Sequence, residues 1–362
     1  MQAIHITSFS NPLSALHPQT VPTPPPPGPN EALVKIHCAA LNHVDLLYAQ
    51  GKHQNNTSLI RPPFTLGLEF SGTVVAIGVS QSSSDNETTT DHNSPLRVGD
   101  KVFGTGLGAF AERIVVPLRS LRRVPAAWAV EDAAGLAATA TVAYGAVAVR
   151  GDVRSGQWVL VHGAAGGIGV YACQIAKALG ARVIAGVRSL GDKGKVGMLR
   201  AFGCVDGIVE TGADSAVKGS WTDKVKKITG GDDVDVVIDN VGLVKESLRC
   251  LKTIAGRIVL VGFAGREGVM EEVSVNRILL RQAVVVGYRY GDTDRKNPSE
   301  TKQIWDGLMA LIESGAVKPA TFEKRYRGLS EVRIAMADLQ AKKIYGKAVI
   351  HVDENENGKA AL

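Results

Sequence analysis

The sequence predicts an α/β protein in two parts, a doubly wound parallel sheet and a mostly-β domain that precedes and follows it in the chain. Three observations carry this. Short apolar strands alternate with helical stretches from Trp158 to about Tyr290, as a parallel sheet covered on both faces requires. Strand-and-turn patterns fill the chain before residue 130 and return after Pro319. The 362 residues exceed one typical core and suit two domains. The expected boundaries are 1–130 with 319–362 for the mostly-β domain and 131–318 for the α/β domain.

In order along the chain, "MQAIHI" is strand-like and opens a hairpin. "VPTPPPPGPN" is a polyproline linker, and a strand follows from about Ala32 to Ala39. "FTLGLEFSGTVVAIG" combines β-branched residues with glycines at bends. "VSQSSSDNETTTDHNSPL" is polar and of low complexity, so residues 82–94 read as a long surface loop. "VGDKVFG" and "GAFAERIVVP" resume the strands. From Glu131, "EDAAGLAATATVAYGAVAV" favours helix. The strands of the sheet are then "WVLVHG", "ARVIAGV", "GIVE", "VDVVIDNVG", "GRIVLVGF" and "AVVVGYRY", with helices between them such as "VKESLRCLKTI". The chain closes with a helix in "LSEVRIAMADLQAK" and a strand in "GKAVIHV".

Composition excludes several classes. The net charge of +6 is dispersed, with no basic stripe interleaved with aromatics, so no nucleic-acid partner is expected. The longest mild apolar run, about Ala133 to Val149, is too short to span a bilayer, so no membrane is expected either. No signal or transit pattern opens the chain. Cys38, Cys173, Cys204 and Cys250 stand singly, without a C-x-x-C pair, as in a reducing compartment. The expected location is cytoplasmic.

The strand ending at Val161 leads into Gly163, Ala164, Ala165, Gly166, Gly167, Ile168 and Gly169. The helix that follows sets Ile168, Ala172, Ile175, Ala176 and Leu179 on one face. A pyrophosphate at such a helix start meets free N–H groups and the positive end of the dipole, and glycine allows the backbone to approach it. Strand, turn, helix and second strand together make this a dinucleotide site rather than a chance glycine run. In a fold selective for NAD, an acid about 20 residues on holds the ribose hydroxyls. Here the second strand ends on Arg188 and Ser189, with Lys193 and Lys195 beyond. A carboxylate would repel a 2′-phosphate and Arg would bind it, so NADPH is the expected cofactor. A solvated basic loop is the alternative.

With "LNHVDLLYAQG", "LGLEFSGTVVAIG", "VGDKVFG", "GAFAERIVVP", "LVHGAAGGIG", "VDVVIDNVG" and "GRIVLVGFAG" in one order, the chain resembles the zinc-independent quinone oxidoreductases of the medium-chain dehydrogenase/reductases. The resemblance covers nearly the whole chain. It implies a GroES-like mostly-β domain, a Rossmann domain and an active cleft between them. It also implies NADPH-dependent reduction of a small-molecule quinone, enal, enone or enoyl thioester, with hydride reaching an electron-poor carbon. Zinc-dependent relatives have Cys and His where this chain has Asn42 and Leu68, which cannot ligate zinc, so no metal is expected. Asn42 and Asp45 match positions lining the cleft. Asn42 is either a polar contact to substrate or cofactor or an Asx turn. His53 stands where the family often has a tyrosine, either assisting a carbonyl oxygen or facing water from a loop. Thr139, Asn240, Gly242, Gly262, Phe263, Ala264 and Lys347 match segments near the cofactor. The apolar stretch Arg281–Gly291 matches a sheet edge that pairs relatives into homodimers. An NADPH-dependent reductase is one reading; a non-catalytic NADPH-binding structural or regulatory protein is the other.

Overall fold

The computed structural model describes residues 1–9, 13–78, 95–212, 221–265 and 270–353. The polar loop expected at 82–94 lies outside the described residues. Two compact units form, Met1–Ala138 with Pro319–Leu362, and Thr139–Lys318. The segment 131–138 therefore belongs to the first unit.

The first unit is mostly β. Gln2–Ile6 pairs antiparallel with Pro18–Thr20 on one side and Phe64–Thr65 on the other. A larger sheet runs in the order Tyr326–Arg327, Val349–His351, Glu31–Ala40, Glu69–Ile77, Lys101–Thr105, Leu121–Arg123, with Arg113–Pro117 also on Glu31–Ala40. The period of two in "EALVKIHC" places Ala32, Val34 and Ile36 in the core with Phe70, Val74 and Phe110. A register shift between Ile36 and Cys38 opposes Gly72, where a Cβ would lie 2.0 Å from the Lys35 carbonyl oxygen. Glycine is the residue that lets the two backbones meet there.

The second unit holds a six-stranded, all-parallel sheet. Its order is Gly207–Glu210, Arg182–Val187, Trp158–His162, Val236–Asp239, Arg257–Leu260, Val284–Gly287. Numbered in chain order this is 3-2-1-4-5-6, the doubly wound arrangement of dinucleotide-binding folds. Every residue of the central Trp158–His162 strand is buried, as a strand covered on both faces must be. Among the described residues no helix is long and apolar enough to cross a membrane.

Three elements differ from the sequence expectation. The helix in "VKESLRCLKTI" is confined to Val244–Ser247, because Cys250 and Lys252 pair their backbones with Val234. The stretch Arg281–Gly291 is a strand only over Val284–Gly287, and Tyr290–Lys296 is helical. The region from Glu131 is broken into Val130–Ala133, Ala140–Tyr144 and a wider turn over Gly145–Arg150. In the first interruption the Ala138 N–H donates to Glu69 Oε2 at 2.8 Å, taking it out of any continuous helix ladder.

Candidate functional site

In the second unit the strand order reverses between Trp158–His162 and Val236–Asp239, and open α/β sheets bind ligands beyond the carboxyl ends of such a pair. The chain leaves the first of these strands through Gly163, at φ 63°, in the left-handed region. Gly166 then caps the helix Gly167–Ala178. A Cβ on Gly169 would lie 2.2 Å from the Gly163 oxygen and 2.7 Å from Ala164 Cα, so only glycine allows the helix to pack this close to the turn. Gly166 is exposed, Gly167 and Ile168 are half-buried, and Ala165 is buried. The amides of Gly167, Ile168 and Gly169 occupy the first helical turn, where no intrahelical acceptor exists. An anion placed there would meet these N–H groups along the helix dipole.

The facing strand end is held by Asp239 and Asn240. The buried Asp239 carboxylate accepts three backbone amides, from Val241 at 2.9 Å, Gly242 at 2.8 Å and Leu243 at 2.7 Å. Asn240 Nδ2 donates to the His162 carbonyl at 3.0 Å, joining the two strand ends, while its buried Oδ1 has no hydrogen-bond partner among the described residues. Gly262 and Ala264 donate backbone N–H to the Asp239 and Asn240 carbonyls, and Phe263 between them is 45% exposed. The structure thus gathers the glycine turn, Asn240 and Gly262–Ala264 at one edge of the sheet. Thr139 lies buried at the cap of the helix Ala140–Tyr144.

Beyond the second strand Arg188 and Ser189 are exposed. Among the described residues no carboxylate pairs with Arg188. Ser189 Oγ accepts the Gly191 amide at 3.1 Å and Glu210 accepts the Leu190 amide at 2.8 Å, so the turn is fixed from both sides. Asp192 caps the helix Lys193–Phe202, accepting the Lys195 amide and pairing with its ammonium at 2.7 Å. Lys195 is thereby engaged within its own helix, whereas Lys193 is exposed.

The first unit holds a buried polar cluster. Lys347, 3% exposed, forms an ion pair with the fully buried Glu69 and donates to Asn42 Oδ1 at 2.7 Å and the Leu41 carbonyl at 3.0 Å. These three acceptors match the three hydrogens of its ammonium. Asn42 Nδ2 donates to Glu69 Oε1 at 2.9 Å, so both ends of the carboxamide are held inside the cluster. Asp45, also fully buried, accepts the Asn42 backbone N–H at 2.8 Å and closes the start of the helix His43–Gln50. Burial pushes its carboxyl up to about 7, Glu69 adds to the rise, and the Asn42 N–H and Lys347 oppose it. Asn42, Asp45 and Lys347, each expected near substrate or cofactor, are thus brought together in one buried hydrogen-bonded cluster around Glu69. His53 caps a short turn over Gln54–Thr57: its Nδ1 accepts the Asn55 amide at 3.0 Å and its ring meets Tyr48 edge-on at 4.6 Å. With Nδ1 accepting, the neutral ring carries its hydrogen on Nε2.

Two family models match, the alcohol dehydrogenase GroES-like domain over residues 28–126 and the zinc-binding dehydrogenase domain over residues 167–312. Quinone oxidoreductase-like protein 2 of Bos taurus is 32% identical over 338 residues, covering 91% of this chain and 87% of that protein. The chain belongs to the zinc-independent quinone oxidoreductase branch of the medium-chain dehydrogenase/reductases. The GroES-like and Rossmann units described above are the two domains of this superfamily. The acryloyl-coenzyme A reductase of Sulfurisphaera tokodaii is 30% identical over 326 residues, covering 82% of this chain and 85% of that protein. A solved mycobacterial protein complexed with NADPH superposes with a TM-score of 0.81 at 26% identity, covering 97% of this chain and 99% of that one. These similarities support binding of a nicotinamide cofactor by the chain. Among the described residues no three His, Cys, Asp or Glu side chains are grouped to hold a metal ion.

Sequence reasoning missed Glu69 as the centre of the cluster, Asp239 as the clamp on the fourth strand, and Glu210 behind the basic turn. Asp239 had a local signal, an Asp directly before "NVG". The partners of Glu69 lie far away in sequence and left none.

Proposed function

We propose that the chain is an NADPH-dependent reductase that passes hydride, without zinc, to a quinone or an α,β-unsaturated carbonyl. The observation that carries the cofactor preference is Arg188, exposed at the end of the second Rossmann strand and without a carboxylate partner among the described residues. Bound NADPH supplies the hydride. The chain's residues do the rest: the amides of Gly167–Gly169 hold the pyrophosphate, Arg188 and Lys193 hold the 2′-phosphate, and Asn240 and Gly262–Ala264 form the rim of the site. Asn42 is kept in one orientation by Lys347 and Glu69, leaving one Oδ1 lone pair beyond these bonds. The hydride adds to the electron-poor carbon, and the resulting oxyanion or enolate takes a proton from water, with His53 assisting by hydrogen bonding. An enoyl thioester is the second substrate class, favoured by the similarity to an acryloyl-coenzyme A reductase. Stopped-flow NADPH oxidation across quinones, enones and enoyl thioesters tests the reading. Turnover with one class selects it, and no turnover with any class makes the chain an NADPH-binding protein without catalysis.

A further inference from the structure

Three residues distant in sequence converge in the first unit. His351, on the strand Val349–His351, lies directly opposite Cys38 on the strand Glu31–Ala40, and the Cys38 sulfur is 3.8 Å from His351 Nδ1. The other ring nitrogen, Nε2, is 3.1 Å from Oε1 of Glu131, on the helix Val130–Ala133. Glu131 is held in turn by Arg325 through Oε2 at 3.2 Å. A carboxylate can only accept, so Nε2 carries the hydrogen and Nδ1 presents its lone pair to the thiol. Nucleophile, base and orienting carboxylate thus stand in the order that activates a cysteine. The dehydrogenase reading makes no use of them.

The geometry points to Cys38 as a reactive thiol that hydrogen peroxide oxidises to a sulfenic acid, with His351 as its base and Glu131 as the residue that orients the imidazole. The thiol proton passes to His351 Nδ1 and the thiolate attacks one peroxide oxygen. The S–O bond forms as the O–O bond breaks, and the departing hydroxide takes the proton back from His351 as water. Sulfur loses two electrons and peroxide gains them. The residue is 6% exposed and packed by Ala40, Ala134 and Val349, which suits an oxidant of this size. The other cysteines are internal controls. Burial pushes the Cys173 thiol well up, the Cys204 thiol to about 11 and the Cys250 thiol to about 12, and among the described residues no imidazole is bonded to any of them.

The full chain is treated with stoichiometric hydrogen peroxide and quenched at intervals into urea containing dimedone, and the four cysteine peptides are quantified by mass spectrometry. The Cys38 peptide is expected to acquire dimedone ahead of the other three. A thiol of ordinary pKa, about 8.5, is only about 3% thiolate at pH 7, so His351→Gln should slow labelling by about tenfold and Glu131→Gln by less. Cys38 labelled no faster than Cys173, Cys204 and Cys250, or at an unchanged rate in both variants, overturns the assignment. If His351→Gln does not fold, the wild-type ranking and Glu131→Gln decide the matter.

Discussion

Replacing Arg188 by alanine isolates the group assigned to the 2′-phosphate. Arg188 is exposed and has no carboxylate partner among the described residues, so no ion pair must break before it binds an anion. A hydrogen bond between charged groups contributes about 1.5–3 kcal/mol, and solvent exposure holds the value toward the lower end. Since each 1.4 kcal/mol is about tenfold, the NADPH dissociation constant should rise by about 10- to 100-fold in Arg188→Ala. NADH, which has no phosphate there, should bind as before. Lys195→Ala provides the contrast. Its ammonium is 2.7 Å from Asp192 in the wild type, so its loss should change NADPH affinity by less than about threefold. The wild-type preference should also shrink as salt is raised, because an exposed pair is screened. Titrating both nucleotides by fluorescence into the three proteins gives all of these values. Equal wild-type affinities for NADPH and NADH, unchanged by Arg188→Ala, would falsify the 2′-phosphate assignment.

Gly169→Ala forces a methyl group to within 2.2 Å of the Gly163 oxygen. It should cost about 1–3 kcal/mol of stability and most of the nucleotide affinity; normal thermal unfolding with normal NADPH titration would contradict the packing argument. Lys347→Met leaves Glu69 buried and uncompensated and should cost about 3–5 kcal/mol, with Glu69→Gln in the same chain recovering part of it. Chemical denaturation of the single and double variants checks this, and additive losses would show that the pair is not coupled. Asp45 keeps its proton in the folded state up to about pH 7, whereas the unfolded chain releases it near 3.8. Stability therefore falls as pH rises through that window, and Asp45→Asn should gain on the wild type across it by about 1 kcal/mol or more. A melting-temperature difference that stays constant between these pH values would refute the shift. Finally, we propose a homodimer across the edge strand Val284–Gly287. The neighbouring helix Val275–Arg281 buries none of its residues, and Leu279 and Leu280 are about three-quarters exposed. Light scattering should give a dimer that Leu279→Glu with Leu280→Glu converts to monomer, and a wild-type monomer would end the proposal.

The parts of the molecule that were legible in the sequence are those fixed by near neighbours. The Rossmann strands, their alternation with helices and the glycine turn all follow from patterns within about 15 residues, and the sheet forms them in the expected class. The first unit's site depends instead on meetings that no local pattern encodes. Lys347 reaches Asn42 across 305 positions of sequence, and its Gly-Lys context says only that a strand begins nearby. Once that ammonium is inside the protein, solvation physics dictates the rest: Glu69 must be beside it, and Asn42 must turn its oxygen inward. A side chain read from the sequence as either a polar contact or an Asx turn is thus one that a buried charge holds in place.

His53 shows the same limit at short range. Its place after "QG" invites comparison with a tyrosine acid, and the polar stretch "QGKHQNNTS" reads equally as a loop facing water. The structure makes His53 the cap of a tight turn instead, with Nδ1 receiving the Asn55 amide and the His53 backbone N–H held by Asn56 Oδ1 at 3.0 Å. The local bonds place the neutral ring's hydrogen on Nε2. Nε2 can donate a hydrogen bond, but a fully protonated ring would have to give up its bond from Asn55, since both nitrogens would then be donors. Assistance to a substrate oxygen from His53 therefore has to be hydrogen bonding from the neutral ring, unless the turn opens. This ties any catalytic contribution from His53 to the integrity of the Gln54–Thr57 turn.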